Sequence, residues 1–257
     1  MPLICLTRRV ILNIPLVSAF AALVATSSTV HATDINVAVA ANFTEPAKEI
    51  AQLFERTTGH RAILSFGATG QFYVQIIQGA PFQVFLSADQ STAKKLVDDS
   101  IAVADSLFTY AVGKIILFSA NAALVVGEQT LREAKFNKIA VADPLTAPYG
   151  AAAVETMKRL GVYDTLASKI VQGSNIAQTF EFVDSGNADL GFVALSQVIA
   201  RQGGSRWIVP DNLYSPIRQD AVQLRTGAKN EAAGAFLLFM KSPEVAKVIE
   251  KYGYGTK

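Results

Sequence analysis

The sequence predicts an α/β protein of two lobes, each with a mostly parallel sheet flanked by helices and with a ligand site in the cleft between them. Three observations carry this. Beyond residue 32, apolar strand-like runs alternate with helical patterns to the end of the chain, the mark of parallel sheets covered on both faces. Four run-to-helix junctions are short loops of small or amide-bearing residues: Ala41-Asn42-Phe43, Gly67-Ala68-Thr69-Gly70, Pro148-Tyr149-Gly150 and Gly173-Ser174-Asn175-Ile176. Two of them fall in each half, at the sheet edge where such folds bind ligands.

The elements follow in order. Residues 35–40 are a short apolar run, read as a buried strand. The next helix places Ala47, Ile50, Ala51 and Phe54 on one face, with Glu45 in its first turn to suit the dipole, and ends at Thr58-Gly59. Strand 61–65 leads to a helix over 71–78 that Gly79-Ala80-Pro81 stops. Strand 84–87 precedes a helix marked by Ala93, Leu96 and Val97, with Asp89 as a cap. Runs 108–112 and 114–119, separated by Gly113, read as one long bent strand crossing between lobes. Strand 139–142, helix 151–160, strand 169–171, helix 178–184 and strand 190–193 build the second lobe. Strands 207–209 and 221–224 follow, the latter returning to the first lobe. Helices 230–240 and 243–252 finish the chain, with Pro243 at a favourable first-turn position. The expected lobes are therefore 33–113 with 219–257, and 114–218.

The N-terminus reads as a secretory signal peptide over residues 1–32. Arg8-Arg9 is the basic region, residues 10–25 are apolar except for Asn13, Pro15 and Ser18, and Val30-His31-Ala32 is a small-x-small cleavage site. A membrane anchor is the alternative, but the apolar run is short for a span. Cleavage removes Cys5, the chain's one cysteine, and both Arg8 and Arg9 of the 23 basic residues. That leaves 21 basic against 21 acidic residues, without the basic footprint of a nucleic-acid binder.

The four loops place backbone N–H groups and positive dipole ends at one edge, and they carry neither Lys nor Arg. This describes a neutral, donor-lined pocket for a small anion. Alone, each residue has a plainer reading: Asn42 as a helix cap, Thr69 and Tyr149 as turn residues, Ile176 as core. A hydrolase is the rival class, but HExxH, G-x-S-x-G and P-loop motifs are missing, and His60 is the single histidine after residue 32.

More specific matches run in order through nearly the whole mature chain. They are Ala40-Ala41-Asn42-Phe43, Ser65-Phe66-Gly67-Ala68-Thr69-Gly70 and the segment from Gly79-Ala80-Pro81 to Ser87-Ala88-Asp89. Phe108-Thr109-Tyr110-Ala111-Val112-Gly113-Lys114, Ala147-Pro148-Tyr149-Gly150 and the segment from Ala188-Asp189 to Ala194-Leu195 complete the set. With these the chain resembles the periplasmic molybdate-binding proteins of ABC importers, the ModA family. The resemblance implies a type II periplasmic binding-protein fold and capture of molybdate, and of tungstate, for a membrane permease. It implies a monomer with no enzymatic activity, no cofactor and no direct metal ligand. Carried over by position, the oxyanion ligands are Ala41 and Asn42 in the first loop, Thr69 in the second, Tyr149 in the third and Ile176 in the fourth. Ala194 stands where one subgroup has a ligand Tyr, so the phenol of Tyr149 aligns the chain with a second subgroup. Ala41 replaces the Thr common there and leaves only a backbone N–H. Sulfate, phosphate or a small organic anion is the alternative cargo.

Overall fold

In the computed structural model, which describes residues 1–3 and 32–255, ten strands form two five-stranded sheets. The expected signal peptide lies outside the described residues except for residues 1–3 and Ala32. The chain runs β1 (Asp34–Ala40), α1 (Thr44–Thr58), β2 (Arg61–Gly67), α2 (Thr69–Ile77), β3 (Val84–Leu86), α3 (Gln90–Asp98), β4 (Phe108–Gly113) and β5 (Ile115–Ser119). It continues through α4 (Gln129–Glu133), β6 (Ile139–Ala142), α5 (Pro148–Arg159), α6 (Tyr163–Leu166), β7 (Ile170–Gly173), α7 (Ile176–Asp184), β8 (Leu190–Ala194) and α8 (Leu195–Val198). Strands β9 (Ser205–Ile208) and β10 (Ile217–Gln223) precede α9 (Glu231–Phe239) and α10 (Pro243–Lys251).

The first sheet has the order β2-β1-β3-β10-β4 and the second β7-β6-β8-β5-β9. In each, two pairings are parallel and two antiparallel. This is less parallel than the sequence suggests, because β4, β5, β9 and β10 are not joined to the α/β units by crossover helices. They carry the chain between the sheets. The single bent strand expected over 108–119 is two strands in two sheets, joined at Lys114. The return passes through residues 209–216, where the Val209 N–H donates to Ile115 O at 3.3 Å and Ile217 pairs with Gly113.

Both sheets are buried from two sides, so their strands read as unbroken apolar runs rather than alternating ones. Ile35, Val37, Ala38 and Val39 are all fully buried in β1, as are Ile115 to Phe118 in β5. In the first core Phe54 packs edge-on against Phe236, with ring centroids 5.1 Å apart. Leu117, Met157 and Phe192 anchor the second. Gly59 ends α1 in the left-handed region at φ 76°, where a side chain would be strained, and its N–H caps Glu55 O. Asp89 caps α3 by accepting the Thr92 N–H, as its position suggests. His60 lies at the start of β2, accepting the Thr33 N–H and facing the Phe54 ring, remote from the four loops.

Helices α2, α5 and α7 begin two or three residues earlier than their apolar periodicity indicates, at Thr69, Pro148 and Ile176. First-turn residues at a sheet edge carry no amphipathic stripe, so periodicity cannot see them. The consequence is functional: Thr69, Tyr149 and Ile176 sit in helical first turns, where backbone N–H groups have no intrahelical acceptor.

Candidate oxyanion site

Ala41 and Asn42 lie in a single 3₁₀ turn after β1, and Thr69, Tyr149 and Ile176 in the first turns of α2, α5 and α7. All five border one cavity, with Ala40, Gly67, Ala68, Ala88, Ala147, Pro148 and Asn175 as its remaining lining. The cavity holds about 200 Å³ of atom-free space. Lys, Arg, His, Asp and Glu are all missing from this lining.

The backbone of the five residues is unusual. Each residue is at most 5% exposed, and Asn42, Thr69, Tyr149 and Ile176 stand in first turns, whose N–H groups have no acceptor within their own helix. Neighbouring donors are taken: Ala68 N–H by Gln71 Oε1, Gly70 N–H by Thr146 O, and Ala177 and Gln178 N–H by the Asn175 side chain. Four first-turn N–H groups around one buried cavity describe a receptor for acceptor atoms. The Thr69 hydroxyl oxygen accepts the Ala88 N–H at 3.0 Å, which leaves its own proton free to donate.

One side chain behaves differently from expectation. The Asn42 amide spends both its protons inside the protein, donating to Gln219 Oε1 at 2.8 Å and Tyr254 Oη at 3.0 Å. The Tyr149 hydroxyl accepts from Gln219 Nε2 at 3.2 Å, and as an acceptor there it keeps its own proton to donate. Tyr254 gives its proton to Asn42 O at 2.7 Å. Burial pushes the Tyr149 and Tyr110 hydroxyls well above the ordinary phenol value, and pushes Tyr254 up to about 12.

The cavity is bounded by both lobes. Gly70 N–H donates to Thr146 O at 2.9 Å, and Gln71 Nε2 to Ser174 O at 3.3 Å, each from the first lobe to the second. A Cβ on Gly70 would lie 3.0 Å from Thr146 Cα, so glycine permits this closeness. A larger groove, with about 940 Å³ of atom-free space, shares Ala88, Ala147 and Pro148 with the cavity but includes none of the five expected ligand residues.

The model for bacterial extracellular solute-binding proteins matches residues 35–255. A molybdate-binding protein ModA of Rhodobacter capsulatus is 56% identical over 224 residues, covering 87% of this chain and 89% of that protein. The chain belongs to the ModA family of bacterial extracellular solute-binding proteins. Among solved structures of this family, the periplasmic molybdate-binding protein of Azotobacter vinelandii superposes with a TM-score of 0.84 at 38% identity, covering 87% of this chain and 99% of that one. The resemblance seen in the sequence motifs and the expected binding-protein fold are both borne out. The sulfate-binding protein SubI of Mycobacterium tuberculosis, 15% identical with a TM-score of 0.73 and 86% of each chain covered, shares the fold.

Sequence reading missed Gln219, Tyr254, Tyr110 and Ser196 around this ModA-family cavity. The polar Gln219-Asp220 pair preceding an apolar run was a signal, since both are buried within β10. Tyr254 had none beyond its aromatic ring.

Proposed function

We propose that this chain captures molybdate in the periplasm, after removal of residues 1–32, and delivers it as a monomer to the membrane permease of an ABC importer. The observation that carries the reading is the set of buried first-turn N–H groups around one uncharged cavity. A buried dianion must be hydrogen-bonded or paired. Here N–H groups of Ala41, Asn42, Thr69, Tyr149 and Ile176, with the Thr69 hydroxyl, supply donors, and three helix N-termini supply positive dipole ends. Charge-assisted bonds of this kind are about twice as strong as neutral ones.

The molybdate bound by the relatives named above supports this cargo, and tungstate, of matching charge and shape, is expected to share the site. Discrimination against monohydrogen phosphate follows from chemistry: its proton needs an acceptor, and no carboxylate or imidazole lines the cavity. Discrimination against sulfate rests on size, through the shorter bonds of sulfur to oxygen. Residues 33–113 with 219–257 and residues 114–218 act as the two lobes that close on the ion. The chain works as a binder and not an enzyme, since the five residues offer donors and no nucleophile–base pair.

Calorimetric titration of the purified chain tests this. Molybdate and tungstate are expected to bind one ion per chain, with sulfate and phosphate far weaker. Sulfate binding equal to molybdate would overturn the cargo assignment.

A further inference from the structure

The bonds that reach the Asn42 amide and the Tyr149 phenol join into one network. Gln219 Nε2 donates to Tyr149 Oη at 3.2 Å, Asn42 Nδ2 to Gln219 Oε1 at 2.8 Å and to Tyr254 Oη at 3.0 Å, and Tyr254 Oη lies 2.7 Å from Asn42 O and 3.0 Å from Ser196 Oγ. Two hydroxyls brace it: Tyr110 donates to Gln219 Oε1 at 2.9 Å and Ser196 to Asn42 O at 2.8 Å. All six residues are buried, and no buried side-chain polar atom among the described residues lacks a partner.

The network spans the two lobes. Asn42 follows β1, Tyr110 and Gln219 lie in the first sheet, and Tyr254 sits beside the bridge between Gly255 and Val112 of β4. Tyr149 and Ser196 belong to α5 and α8 on the second sheet. The main chain is shaped around it: a Cβ on Gly113 would lie 2.1 Å from Tyr149 Oη and 2.7 Å from Gln219 Nε2. Glycine at the crossing between the sheets is what lets the network reach the strand.

Two members of the network, Asn42 and Tyr149, also carry first-turn N–H groups at the cavity. Their side chains are held by the network while their backbones face the ligand position. A fully satisfied buried network is rigid, because opening any one bond strands a partner in low dielectric. We propose that Gln219 and Tyr254 are positioning residues of the oxyanion site. Neither borders the cavity, but Gln219 ties Asn42 to Tyr149 and Tyr254 ties Asn42 to Ser196, and together they set the spacing between the Ala41–Asn42 turn of one lobe and the first turn of α5 on the other. This rests on the oxyanion reading of the cavity. The C-terminal segment thereby becomes part of the binding device without touching the ion.

The test is a double-mutant cycle on molybdate binding with Tyr254→Phe and Tyr149→Phe, joined by hydrogen exchange on the ligand-free protein. Each single variant is expected to bind molybdate about tenfold more weakly, with the loss in the dissociation rate. The double variant is expected to lose little more than the weaker single one, since both loosen the same network through Asn42 and Gln219. Hydrogen exchange of Tyr254→Phe is expected to quicken over 40–44 and over 148–152, on both lobes. A purely structural role for Tyr254 inside the first lobe would lower the melting temperature but would leave 148–152 protected and the two losses additive. Either of those results, or wild-type affinity in Tyr254→Phe, overturns the proposal. If the wild-type chain fails to bind molybdate, the oxyanion reading falls by itself, and the exchange pattern still decides whether the network couples the two turns.

Discussion

Replacing Thr69 by Val keeps the shape of the side chain and removes its hydroxyl. The structure gives that oxygen two tasks, and the substitution separates them. As acceptor it satisfies the Ala88 N–H at 3.0 Å in a site that is 1% exposed. Stranding that N–H costs about 1–3 kcal/mol of stability. For a domain of this size that is a fall in melting temperature of about 2–10 °C. As donor the hydroxyl faces an ion, and a hydrogen bond to a charged group contributes about 1.5–3 kcal/mol. The affinity of Thr69→Val for molybdate should therefore fall by about tenfold to about 150-fold. Thr69→Ser retains the hydroxyl and should recover most of both losses. Calorimetry gives the affinity of the folded protein and a thermal melt without ligand gives the stability. A valine variant that melts lower but binds molybdate as tightly as the wild type would show that the hydroxyl serves Ala88 alone, and the donor assignment would fall.

Other expected outcomes follow from the same geometry. Gly113→Ala should weaken molybdate binding by at least tenfold in calorimetry, because its Cβ would lie 2.1 Å from Tyr149 Oη; unchanged affinity would mean that Tyr149 shifts freely. Ile176→Ala should destabilise the protein by about 2–5 kcal/mol as a buried truncation, yet change affinity less than Thr69→Val, since its donor is backbone; chemical denaturation and titration measured side by side check this. Molybdate affinity should stay nearly flat from about pH 6 to 9, because the ionisable side chain lining the cavity is Tyr149, held neutral by burial. Thermal stability should fall above about pH 10: Tyr110, Tyr149 and Tyr254 have raised folded values, so the unfolded chain releases their protons first. A steep change in affinity near neutrality would place a titrating group in the cleft.

Much of this was legible in the residues. Strands buried on both faces leave continuous apolar runs, and β1, β6 and β8 were found that way within a residue or two. Loops of small residues at the ends of β1, β2 and β7 located the donors, because small residues are what let backbone approach a ligand. Three things were not legible. The starts of α2, α5 and α7 carry no amphipathic stripe. The change from one bent strand to two depends on which neighbours β4 and β5 find, which is a tertiary fact. The use of the Asn42 amide inside the protein depends on Gln219 and Tyr254, 177 and 212 positions along the chain, and no local pattern announces those partners.

The position of β10 has a consequence for how the chain is made. It lies between β3 and β4 in the first sheet, so β4 has no strand beside it there until residues 217–223 exist. The second sheet draws all its strands from an uninterrupted stretch, 115–208. During synthesis from the N-terminus, the middle of the chain can therefore complete its sheet while β1 to β4 wait for β10. Gln219 arrives with β10 and Tyr254 later still, so a nascent chain acquires its ion-binding geometry only after the second sheet has been made.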